Sequence, residues 1–256
     1  MQARPGSKNM ERMEEAVAGA DYEGLQHFIS GSPWAARPVM DHVATEVSHL
    51  LEGPMALAYI DETSFSKKGT ASVGVARQYN GRLGKVDNCQ VAVFAALGRG
   101  DRAVLAGARL YLPEEWCGDP ERCRKAGIPE EARAFKTKAV LALELILHLR
   151  SIGAGFEAAV LDAGYGKDPA LLRALDDAGE VFVADVHRSQ RVWTENPWPA
   201  PPLNTGGGRG RAATVPRASS APVTVADWIA ARPADAWPVT VLRDGTRGGT
   251  ARGIPP

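Results

Sequence analysis

Apolar and polar positions follow two rhythms along this chain. Residues 8–53 carry the helical one: Val39, Val43, Val47 and Leu50 recur at steps of three and four, and Gly53-Pro54 ends the pattern. From Met55 the period shortens to that of strands. Met55–Asp61 is an apolar run that ends on two adjacent acids, Asp61 and Glu62. Ser72–Tyr79 sets Val73 and Val75 on one face, and Cys89–Leu97 sets Val91, Val93, Ala95 and Leu97 on one face. Between them YNGRLG contains Asn80-Gly81, a tight-hairpin signal. Ala103–Leu112 reads as a further strand, so the pattern predicts an antiparallel meander.

The helical rhythm then returns. Lys136–Arg150 is densely apolar, too long for a strand, and predicts a buried helix. Phe156–Leu161 is a strand that ends at Asp162. Asp168-Pro169 supplies an N-cap and a proline at the first helical position; LLRALDDAG follows, closed by Gly179, and Val181–Val186 is another strand. The predicted class is α/β: a mixed sheet, antiparallel meander then parallel strands, with packed helices. Three regions are expected: a helical segment over 1–54, a sheet-based core over 55–192, and a Pro/Gly-rich stretch over 193–256 with a short helix at Val223–Ala231 and a strand at Trp237–Leu242.

Composition excludes more than it identifies. Lys+Arg and Asp+Glu both number 30 in 256 residues, so overall charge names no partner. Local charge says more. Lys67, Lys68, Arg77, Arg82 and Lys85 fall in a stretch from Ser64 to Val86 that has no acid, and such a run suits phosphates as well as solvent. Three cysteines without a CxxC argue against a disulfide framework or a zinc site and read as cytoplasmic. No apolar run reaches membrane-spanning length.

The candidate chemistry lies in the carboxylates. Asp61 and Asp162 each close a strand-like run, and adjacent strands would bring them to one edge of the sheet. Oxygen ligands of this kind suit Mg²⁺ or Mn²⁺. Spacing alone favours two strand-end caps or turn residues, since such acids are common.

Ordered motifs extend this reading: KNMERM, DYEGLQHFIS, SPW, IDETSFSKKG, SVGVARQYNGRLGKVDNCQVAV, RLYLPEEW, DPERCRKAGIPEE, FKTK and LDAGYG. With them the chain resembles DDE transposases of bacterial insertion sequences, of the IS701 type, through most of residues 8–190. The resemblance implies an RNase H-like core and metal-dependent DNA cleavage and joining. It implies DNA partners, namely the element's terminal inverted repeats and target DNA, with self-association on paired ends. Asp61 matches the first acid of the family's Asp-Asp-Thr box, and Asp162 the second catalytic aspartate. The box here reads Asp61-Glu62-Thr63, so either adjacent acid is a candidate ligand, with Asp61 preferred because its strand leads into it. Lys67, Lys68, Arg77 and Lys85 are the expected DNA contacts. The family's third acid, a glutamate, has no match; the last glutamate is Glu195. The expectation is therefore a transposase truncated at both ends, or a DNA-binding remnant of one. A haloacid-dehalogenase-like phosphatase is the rival reading of IDETS and LDAGYGKD, disfavoured by Thr63 where that family places an acid.

Overall fold

The structure is a computed structural model and describes residues 10–33, 35–51, 53, 55–199, 216–233 and 236. Three helices open it: α1 (Met10–Ala16), α2 (Tyr22–Ser30) and α3 (Ala36–Leu50). The meander follows as β1 (Leu57–Ser66), β2 (Ala76–Asn80), β3 (Lys85–Arg99) and β4 (Arg102–Leu110). After short helices α4 (Glu114–Cys117) and α5 (Pro120–Lys125) come α6 (Lys138–Ser151), β5 (Ala158–Leu161), α7 (Ala163–Gly166), α8 (Pro169–Asp177) and β6 (Phe182–Ala184). A separate two-stranded ladder pairs β7 (Arg191–Val192) with β8 (Val223–Thr224), which leads into α9 (Val225–Ala230).

The main sheet has six strands in the order β2-β3-β1-β5-β6, with β4 also on β3. β1 pairs antiparallel with β3 and parallel with β5, and β5 pairs parallel with β6. β3 is long enough to hold β2 at one end and β4 at the other along the same edge. This is the expected α/β class, a mixed sheet with packed helices.

One face of the sheet is covered. Ala58 and Ile60 of β1, Val93, Ala95 and Leu97 of β3, and Ala159 and Leu161 of β5 join Leu141, Leu145, Ile146 and Leu149 of α6 in one core. Val47 and Leu51, at the end of α3, and Leu171 and Leu175 of α8 complete it. Each fully buried side chain of this size contributes roughly 1.5–3 kcal/mol. Thr137 caps α6 by accepting from the Val140 N–H. Polar contacts fix α3: Asp41 Oδ1 lies 2.6 Å from His148 Nε2, and Ser48 Oγ accepts from the Gly155 N–H at 2.6 Å.

A second cluster sits beyond the meander: Val75, Leu112, Trp116, Cys123 and Ile128. Its hub is Trp116, whose indole N–H donates to the Val75 carbonyl at 2.9 Å.

The structure departs from the predicted pattern in several places. β1 does not stop at Asp61 but continues to Ser66, because β3 pairs with it along its whole length. β2 begins at Ala76 rather than Ser72, since Gly74 takes φ +73° and its Cα approaches the Tyr111 carbonyl too closely for a side chain. The hairpin after Asn80 has four loop residues, with Gly84 rather than Gly81 in the left-handed region. α3 buries Ala44, Val47 and Ser48, while Val39, Val43 and Leu50 are exposed, so its inward stripe is rotated from the predicted one. α6 leaves Val140 and Leu147 open to solvent. The short helix expected at Val223–Ala231 is α9; the strand expected at Trp237–Leu242 lies outside the described residues.

Candidate metal centre beside the end of β5

The parallel register pairs Ile60 with Leu161, so Asp61 and Asp162 occupy the next positions on neighbouring strands. Strand spacing puts their backbones about 5 Å apart. The sequence expectation that both acids share one edge therefore meets the geometry, with one correction. Asp162 ends its strand; Asp61 lies inside β1, and only β5 stops there. β1 runs on past β5 and leaves a notch.

Alternation along β1 separates the two adjacent acids. Glu62 shares the parity of Ala58 and Ile60 and so faces the helix layer. Asp61 falls on the opposite face with Tyr59, Thr63 and Phe65, and its carboxylate accepts from the Glu62 N–H at 2.7 Å. Asp162 caps α7: its Oδ1 accepts from the Gly164 N–H at 2.9 Å and the Tyr165 N–H at 3.3 Å. The glycines around it serve packing rather than turn conformation. Neither Gly164 nor Gly166 has positive φ, and a Cβ on Gly166 would collide with the Asp185 carbonyl.

That tight packing delivers Tyr165 into the core, 3% exposed. Its buried hydroxyl has no hydrogen-bond partner among the described residues, although it lies against Glu62. Burial first, then the charge of Glu62 and the approach of its carboxylate to the hydroxyl, then the charges of Asp162 and Asp61, push the phenol well above its ordinary range. Lys138, from the first turn of α6, places Nζ 2.6 Å from Glu62 Oε1 and 5.9 Å from the centre of the Tyr111 ring. Lys138 closes the FKTK motif and Tyr165 follows Asp162 in LDAGYG, where it is expected to pack; the pairing of Lys138 with Glu62 was not readable from the sequence. Its place in a helix's first turn, where acids are favoured, was the available signal for Lys138.

Among the described residues, no three His, Cys, Asp or Glu side chains converge closely enough to hold a metal ion. The donor chemistry nonetheless suits Mg²⁺, which binds through one or two carboxylates and keeps several waters. The unpartnered Tyr165 hydroxyl beside the acids is the sign of a site whose polar groups are not yet matched.

The basic residues form a different surface. Lys67 and Lys68 are exposed in the loop after β1, about 20 Å along the strand from Asp61 at ordinary strand rise. That loop is pinned: the Lys67 N–H donates to the Asn88 carbonyl, and Asn88 Nδ2 donates to the carbonyls of Lys67 and Gly69 at 2.7 and 3.0 Å. Arg77 and Lys85 are also exposed, but cross-strand parity puts Arg77 on the Asp61 face and Lys85 on the other. The four do not form one patch on one face.

An antiparallel meander feeding parallel strands, with acids at neighbouring strand positions and helices behind them, defines an α/β nuclease-like fold. The family model for the DDE superfamily endonuclease matches residues 1–249, and the chain belongs to that family. It is also 31% identical, over 186 residues, to the probable transposase for insertion sequence element IS701 of Microchaete diplosiphon. The alignment covers 72% of this chain and 46% of that protein, so the chain spans about half of the relative's length. Endonucleases of this superfamily generally use divalent metal ions. No described helix is long and apolar enough to cross a membrane.

Proposed function

We propose that this chain carries the metal-holding part of a transposase core, acting on DNA at the ends of an insertion sequence. The observation that carries the reading is the β1–β5 register, which brings Asp162 and Asp61 to neighbouring positions on adjacent strands. Asp162 would hold Mg²⁺ or Mn²⁺ together with a β1 acid, Asp61 or Glu62. A bound divalent ion would neutralise phosphate charge and activate an attacking oxygen. The chain's own residues do the rest. The α7 N–H groups orient Asp162, the strand pairing fixes the β1 acids, and the core excludes water from behind them. Lys67 and Lys68, with Arg77 or Lys85 according to the sheet face the duplex takes, would contact DNA phosphates, giving affinity without sequence preference. The partners are the element's terminal inverted repeats and target DNA, with a second copy of the chain on paired ends.

The test is incubation of the purified chain with supercoiled plasmid in Mg²⁺ or Mn²⁺, alongside Asp61→Ala, Glu62→Ala and Asp162→Ala. Metal-dependent nicking that Asp162→Ala and at least one β1 variant abolish is the expected result. Nicking that survives all three substitutions overturns the assignment. DNA retarded in a gel without nicking makes the chain a DNA-binding remnant.

A further inference from the structure

Glu62 already has a cation. The Lys138 ammonium sits 2.6 Å from Oε1, with the two side chains 30% and 35% exposed. The position of that lysine is unfavourable on helix grounds alone. It opens α6, where the positive end of the helix dipole favours acids, and α6 has no acid in its first turn. What holds the ammonium there is the Glu62 carboxylate on the facing strand. The buried Tyr165 hydroxyl, without a well-aligned partner among the described residues, also lies against Glu62. Asp162, the neighbouring acid on β5, is held by backbone N–H groups and has no lysine or arginine at ion-pair distance among the described residues.

A divalent ion held by Glu62 would share that carboxylate with Lys138, which contacts its Oε1. An ammonium in contact with a carboxylate and a divalent ion on the same carboxylate repel one another at close range. We propose that Lys138 is a built-in competitor of the divalent ion: it neutralises Glu62 in the ion-free chain and must leave that carboxylate when the ion binds. The proposal rests on reading these acids as a metal site, and it makes Glu62 the β1 donor. It gives the chain a closed, charge-balanced resting state and sets the ion concentration at which the site fills. Lys138 acts through Glu62 and is a positioning residue.

The experiment is equilibrium Mn²⁺ binding to the full chain, read from the electron paramagnetic resonance signal of free Mn²⁺. Lys138→Met keeps the stem and removes the charge. It is expected to bind Mn²⁺ about tenfold more tightly than the unmodified chain, the size expected for removing one charge at contact distance. Lys138→Arg should stay near the unmodified value. Lys136→Met is the control for general charge, because Lys136 pairs with Glu144 at 2.6 Å instead; it should leave affinity within about twofold, since its charge is already paired and solvated. Adding Glu62→Gln to Lys138→Met should erase the gain. Circular dichroism melts establish that each variant is folded.

An equal or weaker affinity in Lys138→Met, with Asp162-dependent Mn²⁺ binding in the unmodified chain, overturns the role of Lys138 and leaves the metal site standing. An equal gain in Lys136→Met reduces the effect to overall charge and overturns direct competition. Absence of Mn²⁺ binding from both the unmodified chain and Lys138→Met, or binding indifferent to Asp162→Asn, overturns the metal site itself.

Discussion

The two faces of the main sheet are built from the same strands and behave as different materials. The covered face carries small and branched side chains, Ala58, Ile60, Val93, Ala95 and Leu161, that let α6, α3 and α8 settle closely. The opposite face carries a transverse row of Leu105, Ala96, Tyr59, Val160 and Val183, in register across five strands. Tyr59, Leu105 and Val183 are all exposed. Adjacent residues of β1 divide between these environments, and the division decides the chemistry of its acids. Glu62 is drawn into a half-buried pair with Lys138, whereas Asp61 has solvent on its side and bonds the Glu62 N–H. Two neighbouring carboxylates in sequence therefore have different partners and different access.

The sharpest way to break this contrast is to cut one leucine from each face. Leu145 is fully buried against the sheet, and Leu145→Ala should cost about 2–5 kcal/mol. Leu105 is 55% exposed, and Leu105→Ala should cost well under about 1 kcal/mol, within the range of ordinary surface changes. Urea denaturation of both variants measures the difference. Equal costs would mean that the open face is covered in solution.

A second test separates packing from chemistry at Tyr165. Its hydroxyl has no partner, so Tyr165→Phe removes a buried polar group at no cost in hydrogen bonds. The melting temperature should hold or rise, because an unmatched buried hydroxyl carries its desolvation penalty uncompensated. Mn²⁺ affinity should fall by roughly 10–100-fold, because the hydroxyl lying against Glu62 is free to bond that carboxylate once an ion displaces Lys138, and losing a partner behind a metal ligand has that scale. A stability loss with unchanged affinity would make Tyr165 a packing residue only.

How much of this was legible in the sequence follows from which forces are local. The strand and helix identities were readable because α6 is apolar over most of its length, Asp168-Pro169 starts α8, and β3 holds an unbroken apolar run from Val91 to Leu97 after a hairpin signal. The pairing of Asp61 with Asp162 was inferable from two strands that end on acids. The face on which each β1 acid lies was not, because the end of a strand is set by its partners. β3 pairs with β1 through Ser66, which turned an apparent strand end into a strand interior. The outward turn of Val39, Val43 and Leu50 on α3 has the same origin: the helix docks through Ser48 and Asp41, polar groups whose partners lie 107 residues away. Lys138 and Glu62 are 76 residues apart, so only the tertiary structure brings them together.

The second cluster offers a smaller test. The Trp116 indole anchors the loop between β1 and β2 through the Val75 carbonyl, with Arg122 stacked 3.7 Å from the ring centre and donating to the Thr70 carbonyl at 3.0 Å. Trp116→Phe leaves a buried carbonyl without its donor and should cost about 1–3 kcal/mol. Its mark should be local: faster amide hydrogen exchange over residues 67–75, with little change in α6. Uniform loosening of both regions would mean that the two clusters unfold as one unit.

The smallest effect concerns the lysines that this loop presents. Lys67 and Lys68 are exposed, so replacing them with alanine removes charge and almost no packing, and stability should stay within about 0.5 kcal/mol. Affinity for DNA should respond through salt. Each phosphate contact releases counterions, and losing one contact lowers the slope of log K against log salt by about 1. Lys67→Ala/Lys68→Ala should therefore weaken binding to unrelated duplexes alike and flatten the salt dependence by up to about 2. Arg77 supplies the comparison, because it lies on the same sheet face as Asp61 while Lys85 lies on the other. If DNA runs along the Asp61 face, Arg77→Ala lowers the slope and Lys85→Ala does not; the reverse result would put the duplex on the helix side, next to Glu62.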